Sequence, residues 1–513
     1  MSHPIVYREH IVLGNDPRVI ELFPTVQATA SGALVVPHGL EETKLLRNLG
    51  YAIESPMLHE YDWCKTAPFH AQMITAAHIT INKRCFVLNG LGCGKTRSVL
   101  FAFDYLRKKI GMTKLLVVAP LSTLQATWMR EVALVFPHLK AVLLHGSREK
   151  RLKMLASPAD VYIINHDGIE VILKELKGKS FDMVCFDEST AFKTPRTDRW
   201  KAARALIEEV PWALGMTGTP TPQGPMDAYG QIKLLTPNRV PQSFNGYREM
   251  MMYKVTSFKW LPRETSTQAV LDMMQPAVRF SRAECYDLPP VQYVDRLAPM
   301  TAEQHKLYQQ MTKDCTLSCA RGEVTAANEA DKINKLLQIT LGVVYTTDHK
   351  EQRLNADPRL AALEELVEQS ENKVLVFTPY KSTLNMLHEH LSKRWSTVKV
   401  SGDTPAGERG RIFGAFQLTP EPHVIVAHPA CMAHGLTLTE ASTVIWYGPV
   451  QSLELYEQAN GRITRAGQKY SQLIVHLMST KVEEKIYDRL RRRAQMQGLL
   501  LELFEQQILA EEL

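Results

Sequence analysis

The most informative segment of this 513-residue sequence is Asn89-Gly90-Leu91-Gly92-Cys93-Gly94-Lys95-Thr96. An apolar run at residues 85–88 precedes it and predicts a buried strand, and residues 97–110 carry apolar side chains at helical spacing. A glycine-rich turn between a strand and a helix, ending in Gly-Lys-Thr, is typical of a phosphate-binding loop. Its glycines let backbone N–H groups approach phosphate oxygens, and the N-terminus of the helix adds a positive dipole end.

The loop predicts a nucleotide site with a divalent metal ion. Lys95 would reach the β- and γ-phosphates, and the Thr96 hydroxyl would hold Mg²⁺. Asn89 occupies the place of the first glycine in the strict pattern, and we expect the loop to close because Asn tolerates a left-handed backbone. A glycine-rich turn without a ligand is the alternative, which Gly-Lys-Thr directly between strand and helix disfavours. The residues expected to contact the nucleotide are Gly90, Gly92, Cys93, Gly94, Lys95 and Thr96.

Length and composition describe a globular protein of several domains. A chain of 513 residues exceeds one hydrophobic core and predicts two to four domains. No apolar run approaches the roughly 18 residues of a membrane span, and the first residues lack the layout of a signal peptide. Eight scattered cysteines fit a reducing cytoplasm, and Cys315 and Cys319 lack the second pair that a zinc site needs. The net charge of +6 is compatible with a polyanionic partner.

Two regions alternate strands with helices, which predicts an α/β fold with two parallel-sheet domains. Their predicted strands are rich in Val, Ile and Leu rather than alternating, as expected of strands buried on both faces. The division expected from the sequence is an N-terminal α+β accessory unit (1–60), a first α/β domain (61–235), a mostly helical connector (236–350), a second α/β domain (351–485) and a C-terminal helix (486–513). Arginines at 489 and 491–493 make that helix basic, which is more typical of a solvated face than of a DNA clamp.

An acidic pair follows a predicted strand at residues 183–186. Asp187 is placed to hold Mg²⁺, and Glu188 is the candidate base that orients and deprotonates the attacking water. Such a pair alone is usually a surface turn, but at a strand end downstream of a phosphate loop the catalytic interpretation is stronger. Thr217 and Thr219 follow another apolar strand, and their hydroxyls are expected to couple the acidic pair to a neighbouring domain.

A cationic segment near the C-terminus completes the set of candidate catalytic residues. Residues 458–468 contain Gln458, Arg462 and Arg465, and arginines three positions apart on a helix share one face. Guanidinium groups suit phosphate oxygens because they are planar donors that stay charged. Arginines supplied from a second domain would make hydrolysis depend on domain closure. A basic helix face without a ligand is the alternative.

The order of these segments resembles helicase superfamily two, and within it the Swi/Snf-type DNA-dependent ATPases, over roughly residues 65–490. Two departures stand out, because Asn89-Gly90 replaces the usual Asp-Glu before the loop and Ser189-Thr190 replaces Ala-His. The matching segments are 69–72 (the glutamine motif), 92–96 (the phosphate loop), 118–122 (motif Ia), 165–167 (motif Ib), 187–190 (motif II), 217–220 (motif III), 375–378 (motif IV), 434–439 (motif V) and 458–468 (motif VI).

The resemblance implies that both α/β domains are RecA-like, with ATP between them and DNA across them. By the same resemblance, Gln72 would select adenine beside Phe69, and Arg462 and Arg465 would complete the ATP site on closure. Contacts to the DNA backbone would give affinity without sequence specificity and a strong dependence on salt. The residues implied in those contacts are Ser122, Thr123, Asn165, Thr378 and Thr437.

We therefore expect a DNA-stimulated ATPase that uses ATP and Mg²⁺, translocates on duplex, forked or branched DNA, and remodels the DNA or its bound proteins. One alternative is a helicase that separates DNA strands or RNA–DNA hybrids, for which residues 247–260 hold a candidate wedge. Another is an ATP-gated DNA-binding or scaffold subunit that works with a partner such as a nuclease. The compact layout resembles bacterial or phage-encoded members, which suggests a bacterial or infected-host cytoplasm.

Overall fold

The computed structural model describes residues 4–63, 67–256, 259–285, 287–314, 316–319, 322–325, 329–348, 350–432, 437–465 and 467–495. The chain forms two compact units: the first holds the described residues up to 285 together with Gln495, and the second holds residues 287–494. Within the described residues, no helix combines the length and the apolar character that a membrane span requires.

The first unit is built on a parallel sheet of seven strands. From one edge to the other, the strands are Ala277–Val278, Arg84–Val87, Trp212–Met216, Met183–Asp187, Leu115–Ala119, Val161–Asn165 and Ala141–Leu144. The second to fifth strands in this order are almost wholly apolar and buried, because helices cover both faces of the sheet. All carboxyl ends therefore meet at one edge, where ligands bind in open α/β sheets.

The α-helices of the first unit include His70–Ile81 and Lys95–Ile110, which flank the phosphate loop. Others are Pro17–Leu22, Leu40–Asn48, Met57–Glu60, Arg130–Val135, Arg148–Ala156, Gly168–Val171, Leu173–Gly178, Asp198–Leu206, Ala228–Leu235, Phe244–Met251, Ser266–Met273 and Arg282–Cys285. The segment Leu124–Met129 is a π-helix, and Ser189–Phe192, Pro225–Asp227 and Pro237–Arg239 are 3₁₀-helices. An antiparallel hairpin joins Met252–Lys254 to Trp260–Pro262.

The N-terminal residues form a small antiparallel sheet in the order Ile5–Val6, His10–Leu13, Leu34–Pro37 and Gln27–Ala28. Its apolar side chains, with Val19 and Leu46 from two short helices, form a core of their own. A hydrogen bond of 2.9 Å between the hydroxyls of Ser55 and Thr80 links the end of this region to the helix that carries Gln72. The expected α+β character of this region is present in the structure.

The second unit contains a parallel sheet of six strands. Their order is Val291–Leu297, Gln472–Met478, Ala441–Trp446, Lys373–Phe377, Val424–Ala427 and Thr397–Val400. The helices are Ala302–Asp314, Glu329–Thr340, Asp357–Glu368, Lys381–Leu391, Ala406–Leu418, Leu453–Asn460, residues 481–495 and the 3₁₀-helix Pro429–Met432. Two hairpins pair Thr316–Cys319 with Gly322–Thr325 and Val343–Tyr345 with Glu351–Arg353. Cys315 and residues 496–513 of the expected C-terminal helix lie outside the described residues.

The chain thus forms two RecA-like domains, as the sequence predicts. The strands predicted at 85–88 and 183–186 are present as Arg84–Val87 and Met183–Asp187, with ends that differ by one residue. The sequence did not reveal that Ala277–Val278 and Val291–Leu297, both within the expected connector, are edge strands of the two sheets. A two-residue strand carries no periodicity, and sheet membership is a long-range property.

Candidate active site

The phosphate loop closes through its glycines rather than through Asn89. Gly92 and Gly94 adopt left-handed backbone angles, with φ of 90° and 72°, whereas Asn89 is not among the described residues with positive φ. Instead, the buried Asn89 amide donates to the Thr75 hydroxyl at 2.7 Å, and its oxygen accepts the Phe280 N–H at 3.0 Å. The expectation that Asn89 would supply left-handed backbone is therefore wrong, and the residue fixes the start of the loop by side-chain hydrogen bonds.

The glutamine predicted to read adenine lies directly against the loop. A Cβ atom at Gly94 would collide with the Gln72 side-chain amide nitrogen. The Gln72 carbonyl oxygen accepts the backbone N–H of Phe69 at 2.9 Å, which fixes the orientation of the side chain, and the Phe69 ring is 37% exposed. Gly94 is therefore required twice, once for its backbone angle and once for the space that Gln72 occupies.

Lys95 is the first residue of the helix after the loop, and its ammonium group bonds backbone oxygens of the loop itself. The Nζ atom donates to the Asn89 carbonyl at 2.8 Å and to the Gly90 carbonyl at 3.2 Å. Burial lowers the pKa of Lys95, while the carboxylates of Glu188 and Asp187 favour its charged form. The ammonium group is thus held inside the loop, where phosphate oxygens would replace the two carbonyls.

Asp187 and Glu188 form a crowded acidic pair at the end of strand Met183–Asp187. Burial, followed by the neighbouring Glu188 carboxylate, raises the pKa of Asp187 to about 7. Three groups oppose this shift: the Trp128 indole N–H, which donates to Asp187 Oδ2 at 2.9 Å, the Lys95 charge and the backbone N–H of Glu188. A cation bound beside Asp187 would relieve this repulsion.

Glu188 adopts a left-handed backbone, with φ of 51° and ψ of 60°. Such a conformation costs about 1–2 kcal/mol for a residue with a Cβ atom, and non-glycine residues in it cluster at functional sites. The Thr217 hydroxyl donates to the Glu188 carboxylate at 3.3 Å, and the Thr219 N–H donates to that hydroxyl at 3.1 Å. The structure therefore brings the two threonines to the candidate base.

The side chains at this edge fit a magnesium ion. Thr96 and Asp187 offer a hydroxyl and a carboxylate, and hard oxygen donors of this kind are the ones Mg²⁺ prefers beside substrate phosphates. Asp187 is buried next to a second carboxylate, so its charge is incompletely balanced by the groups that surround it. The donor set and the excess of negative charge both suit a small divalent cation.

Three further residues of the site, Gln231, Trp128 and His166, escaped a functional assignment from the sequence. The Ser189 hydroxyl donates to the Gln231 side chain at 2.8 Å, and the Gln231 amide donates to the Pro220 carbonyl at 2.8 Å. Gln231 therefore connects the acidic segment with the threonine segment from a buried position in helix Ala228–Leu235. Trp128 and His166 both bond Asp187. His166 lies in the segment matched to motif Ib, but the hydrogen bonds of all three residues join distant parts of the chain, which one sequence does not reveal.

The residues implied in DNA contacts within the first unit follow two adjacent strands. Ser122 is exposed, whereas Thr123 is buried and its hydroxyl donates to the Pro120 carbonyl at 3.0 Å. The Asn165 side-chain oxygen is buried, with no hydrogen-bond partner in the described part of the chain. All three therefore lie at the same sheet edge as the phosphate loop and the acidic pair.

In the second unit, Thr378 and Thr437 differ in exposure. Thr378 is fully buried, and its hydroxyl has no hydrogen-bond partner among the described residues. Thr437 is exposed, and residues 434–436 of the same motif lie outside the described residues.

The predicted arginine helix is shorter than expected. Helix Leu453–Asn460 contains the buried Gln458 but ends before Arg462 and Arg465, so the two arginines do not share a helix face. Each lies in the turns after the helix, and each folds back on the chain. The Arg462 Nε–H donates to the Gln458 carbonyl at 2.8 Å, and the Arg465 Nε–H donates to the Gly461 carbonyl at 2.9 Å. A glycine at 461 ends the helix, a signal that the sequence contained.

Comparison with known proteins agrees with the motifs. The SNF2-related domain model matches residues 75–354, and the helicase conserved C-terminal domain model matches residues 358–467. Protein p41 of Acyrthosiphon pisum secondary endosymbiont phage 1 is 28% identical over 84% of this chain and 97% of its own length. The DNA annealing helicase and endonuclease ZRANB3 of Bos taurus is 23% identical over 87% of this chain. The match covers only 42% of the length of that relative.

Among solved structures, the Sulfolobus solfataricus SWI2/SNF2 ATPase core in complex with dsDNA is 20% identical to this chain. That match covers 85% of this chain and 94% of the other, with a TM-score of 0.42. The SNF2-related model alone covers more than half of the 513 residues of this chain. This chain therefore belongs to the SNF2-related family and is an ATP hydrolase of helicase superfamily two.

Proposed function

We propose that this chain is an ATP-dependent DNA motor, which hydrolyses ATP in response to DNA and moves along duplex or branched DNA. The observation that carries the proposal is the meeting of four segments at one edge of the first sheet. The phosphate loop, the acidic pair and the segments of Ser122 and Asn165 follow neighbouring or nearly neighbouring parallel strands. Nucleotide chemistry and DNA contacts would therefore occur on one rigid sheet.

In the proposed ATP site, the loop amides and Lys95 hold the phosphates, and Gln72 beside Phe69 reads adenine. Thr96 and Asp187 hold Mg²⁺, which when bound neutralises negative charge on the phosphates. Glu188, in its left-handed position directly after the strand, orients the attacking water and accepts its proton. The Thr217 hydroxyl keeps that carboxylate in place.

Residues of the second unit complete the proposed cycle. Gln458, Arg462 and Arg465 supply donors and positive charge to the γ-phosphate while water attacks it and ADP leaves. The Nε–H groups of both arginines donate to backbone carbonyls. These bonds restrict the side-chain rotamers of both arginines and so hold the guanidinium groups in place. Thr378 and Thr437 are proposed to contact backbone phosphates of the DNA. The proposed compartment is the cytoplasm of a bacterial or infected host, in keeping with the phage relative.

Strand separation is a second candidate function, favoured by one observation. The hairpin of Met252–Lys254 and Trp260–Pro262 overlaps the predicted wedge segment at residues 252–260, and Tyr253 is 44% exposed. The Arg248 guanidinium lies over the Trp260 ring at 4.7 Å, which ties the hairpin to helix Phe244–Met251. A strand-displacement assay with Tyr253→Ala tests this function, because a motor that only translocates needs no exposed aromatic wedge.

ATP hydrolysis measured without nucleic acid and with single-stranded DNA, duplex DNA, forked DNA or RNA tests the proposal. We expect duplex or forked DNA to stimulate hydrolysis strongly, and the stimulation to fall steeply as salt rises. Stimulation by single strands or RNA alone would instead favour the helicase. Hydrolysis that no nucleic acid stimulates would contradict the motor and favour the ATP-gated scaffold, which needs a partner such as a nuclease.

A further inference from the structure

Asp187 is held by two residues from outside its own strand. The Trp128 indole N–H donates to the Asp187 carboxylate at 2.9 Å, and His166 Nε2 lies 2.8 Å from the Asp187 backbone oxygen. Because a carbonyl oxygen can only accept, the His166 ring must donate through Nε2. One contact fixes the side chain of Asp187, and the other fixes its backbone.

Both donors lie next to residues implied in DNA contacts. Trp128 belongs to the π-helix Leu124–Met129, which begins directly after Ser122 and Thr123. His166 is the residue after Asn165, at the end of strand Val161–Asn165. The strand that leads to Ser122 pairs with both the Asp187 strand and the Asn165 strand, so the three segments leave the sheet side by side.

The π-helical turn makes the position of Trp128 depend on local backbone geometry. Short π-helical turns are rare and occur frequently at functional sites. A π-helical turn is wider than an α-helical one, so it changes the direction in which the following side chains point. A shift of the backbone at residues 122–123 would therefore move Trp128, which lies about one turn further along. The Trp128 side chain is fully buried, and it therefore has little freedom to move independently of that turn.

A second contact ties the same segment to the nucleotide helix. Glu131, one turn after Trp128, accepts the Arg97 Nε–H at 2.7 Å, and Arg97 lies in the first turn of helix Lys95–Ile110. The segment after Ser122 therefore touches both proposed sources of metal ligands, the acidic strand end and the helix that carries Thr96.

We propose that Trp128 and His166 are positioning residues that set the Asp187 carboxylate for Mg²⁺ according to whether the adjoining segments hold DNA. The DNA-dependent part rests on the proposed function, whereas the positioning of Asp187 does not. In this arrangement the effect of DNA reaches the Asp187 carboxylate through residues of the first unit, and the arginines of the second unit keep their proposed role in hydrolysis.

Trp128→Phe and Trp128→Gln separate hydrogen bonding from packing. Phe keeps an aromatic ring and loses the donor, whereas Gln loses the ring and keeps an N–H of similar reach. We measure binding of a non-hydrolysable ATP analogue by calorimetry across a Mg²⁺ series without DNA, together with the melting temperature. Partners that orient metal ligands typically contribute 10–100-fold to metal affinity, so we expect Trp128→Phe to need roughly tenfold more Mg²⁺. Trp128→Gln should melt lower and bind closer to wild type.

Phe136→Leu is the packing control, because Phe136 is buried near the end of the same helical segment and packs on Phe101 with ring centroids 5.1 Å apart. It should lower the melting temperature without shifting the Mg²⁺ series. If Trp128→Gln weakens Mg²⁺-dependent binding as much as Trp128→Phe, or if Phe136→Leu does so too, the positioning role is overturned and only packing remains.

Repeating the series with duplex DNA tests the link to DNA. We expect DNA to lower the Mg²⁺ requirement of the wild type and to have a smaller effect on Trp128→Phe and on His166→Leu. If DNA binds but leaves the wild-type Mg²⁺ requirement unchanged, the DNA-dependent setting of Asp187 is overturned. If no DNA binds at all, the proposed motor function fails, while the result without DNA still decides the positioning of Asp187.

Discussion

Two buried charged clusters, one in each unit, differ in how their charges are balanced. In the first unit, Lys95 bonds backbone carbonyls, and Asp187 lies against a second carboxylate, which with burial raises its pKa to about 7. In the second unit, Arg359 and Glu483 are 1% and 0% exposed and form an ion pair of 2.7 Å. The first cluster holds two carboxylates and one ammonium group and so has an excess of negative charge, whereas in the second cluster one positive and one negative group balance each other.

In the second cluster, each of the three guanidinium nitrogens of Arg359 donates at least one hydrogen bond. Its guanidinium group bonds the carbonyls of Tyr447 and Leu477, the Ser479 hydroxyl at 2.8 Å and Glu483. Although burial opposes the charge, Glu483 raises the pKa of Arg359. This cluster joins helix Asp357–Glu368 to two strand ends and to the helix at residues 481–495.

The two clusters contrast charges proposed to bind a ligand with charges that hold the fold together. A buried charge with a complete set of partners stabilises only the arrangement that contains it. A buried charge with like-charged neighbours and strained backbone costs stability, and it persists where a ligand restores the balance. Identical substitutions in the two clusters should therefore have opposite effects.

Glu188→Gln should produce the largest functional change. A general base contributes roughly 10²–10⁴-fold, so hydrolysis should fall by that factor while ATP binding is kept. Removing one of two crowded carboxylates should leave the free energy of unfolding unchanged or raise it by up to about 1 kcal/mol. Steady-state hydrolysis, calorimetric ATP binding and urea denaturation measure the three quantities. Rapid hydrolysis by this variant would remove Glu188 as the base.

Glu483→Gln is the matched change in the paired cluster. Breaking a buried ion pair by removing one partner typically costs about 3–5 kcal/mol, so the second unit should unfold at lower urea concentration. ATP binding by the first unit should be kept at temperatures where the chain is folded. An unchanged free energy of unfolding would mean that Arg359 is satisfied by backbone carbonyls alone, and the distinction between the clusters would be lost.

Gly94→Ala tests the contact between the loop and Gln72. The new methyl group would displace the Gln72 amide, and we expect nucleotide affinity to fall roughly tenfold, with lower discrimination between ATP and GTP. Gly111→Ala is the control at the other end of the same helix, because φ is 75° there, close to the 72° of Gly94, and no atom lies within 4 Å of the added carbon. Equal losses in the two variants would assign the effect to backbone strain.

The smallest predicted effect is the pH dependence of unfolding that His476 of the second unit contributes. His476 is buried, its Nδ1–H donates to the Asp295 carboxylate at 2.8 Å, and its Nε2 lies 2.8 Å from the Tyr456 hydroxyl. Burial lowers the pKa of His476 below the ordinary 6.5. A histidine with a lowered pKa in the folded state favours folding above pH 6.5, and this stability is lost as pH falls below 6.5. His476→Gln should flatten the pH dependence of unfolding by at most about 1.4 kcal/mol per pH unit. Parallel pH profiles of the two proteins would refute this.

The sequence predicted the elements of the nucleotide site well, because each motif directly follows an apolar strand. Cys85 to Leu88 and Met183 to Phe186 are recognisable as buried strands from composition alone, and parallel strands must present their carboxyl ends together. The segment after each strand is therefore predictable as part of one site. The family and the α/β fold were predictable from the order of these segments.

The contacts within the site were not predictable, because they join residues far apart in sequence. Asn89 is tied to Phe280, 191 positions later, and this bond explains its role better than its tolerance of left-handed backbone. Trp128, which reaches Asp187 from 59 positions away, belongs to the π-helix that follows strand Leu115–Ala119. The helix expected to carry Arg462 and Arg465 stops at Asn460, since Gly461 ends it earlier than the spacing of the arginines suggested.

Displacement of a labelled third strand from a DNA triplex distinguishes movement along DNA from hydrolysis alone, because a protein that translocates on the duplex must remove that strand. We predict ATP-dependent displacement by the wild type, none by Glu188→Gln with ATP bound, and no separation of the duplex strands. DNA-stimulated hydrolysis without any displacement would contradict the proposed motor, because the hydrolysis would then drive no movement along DNA.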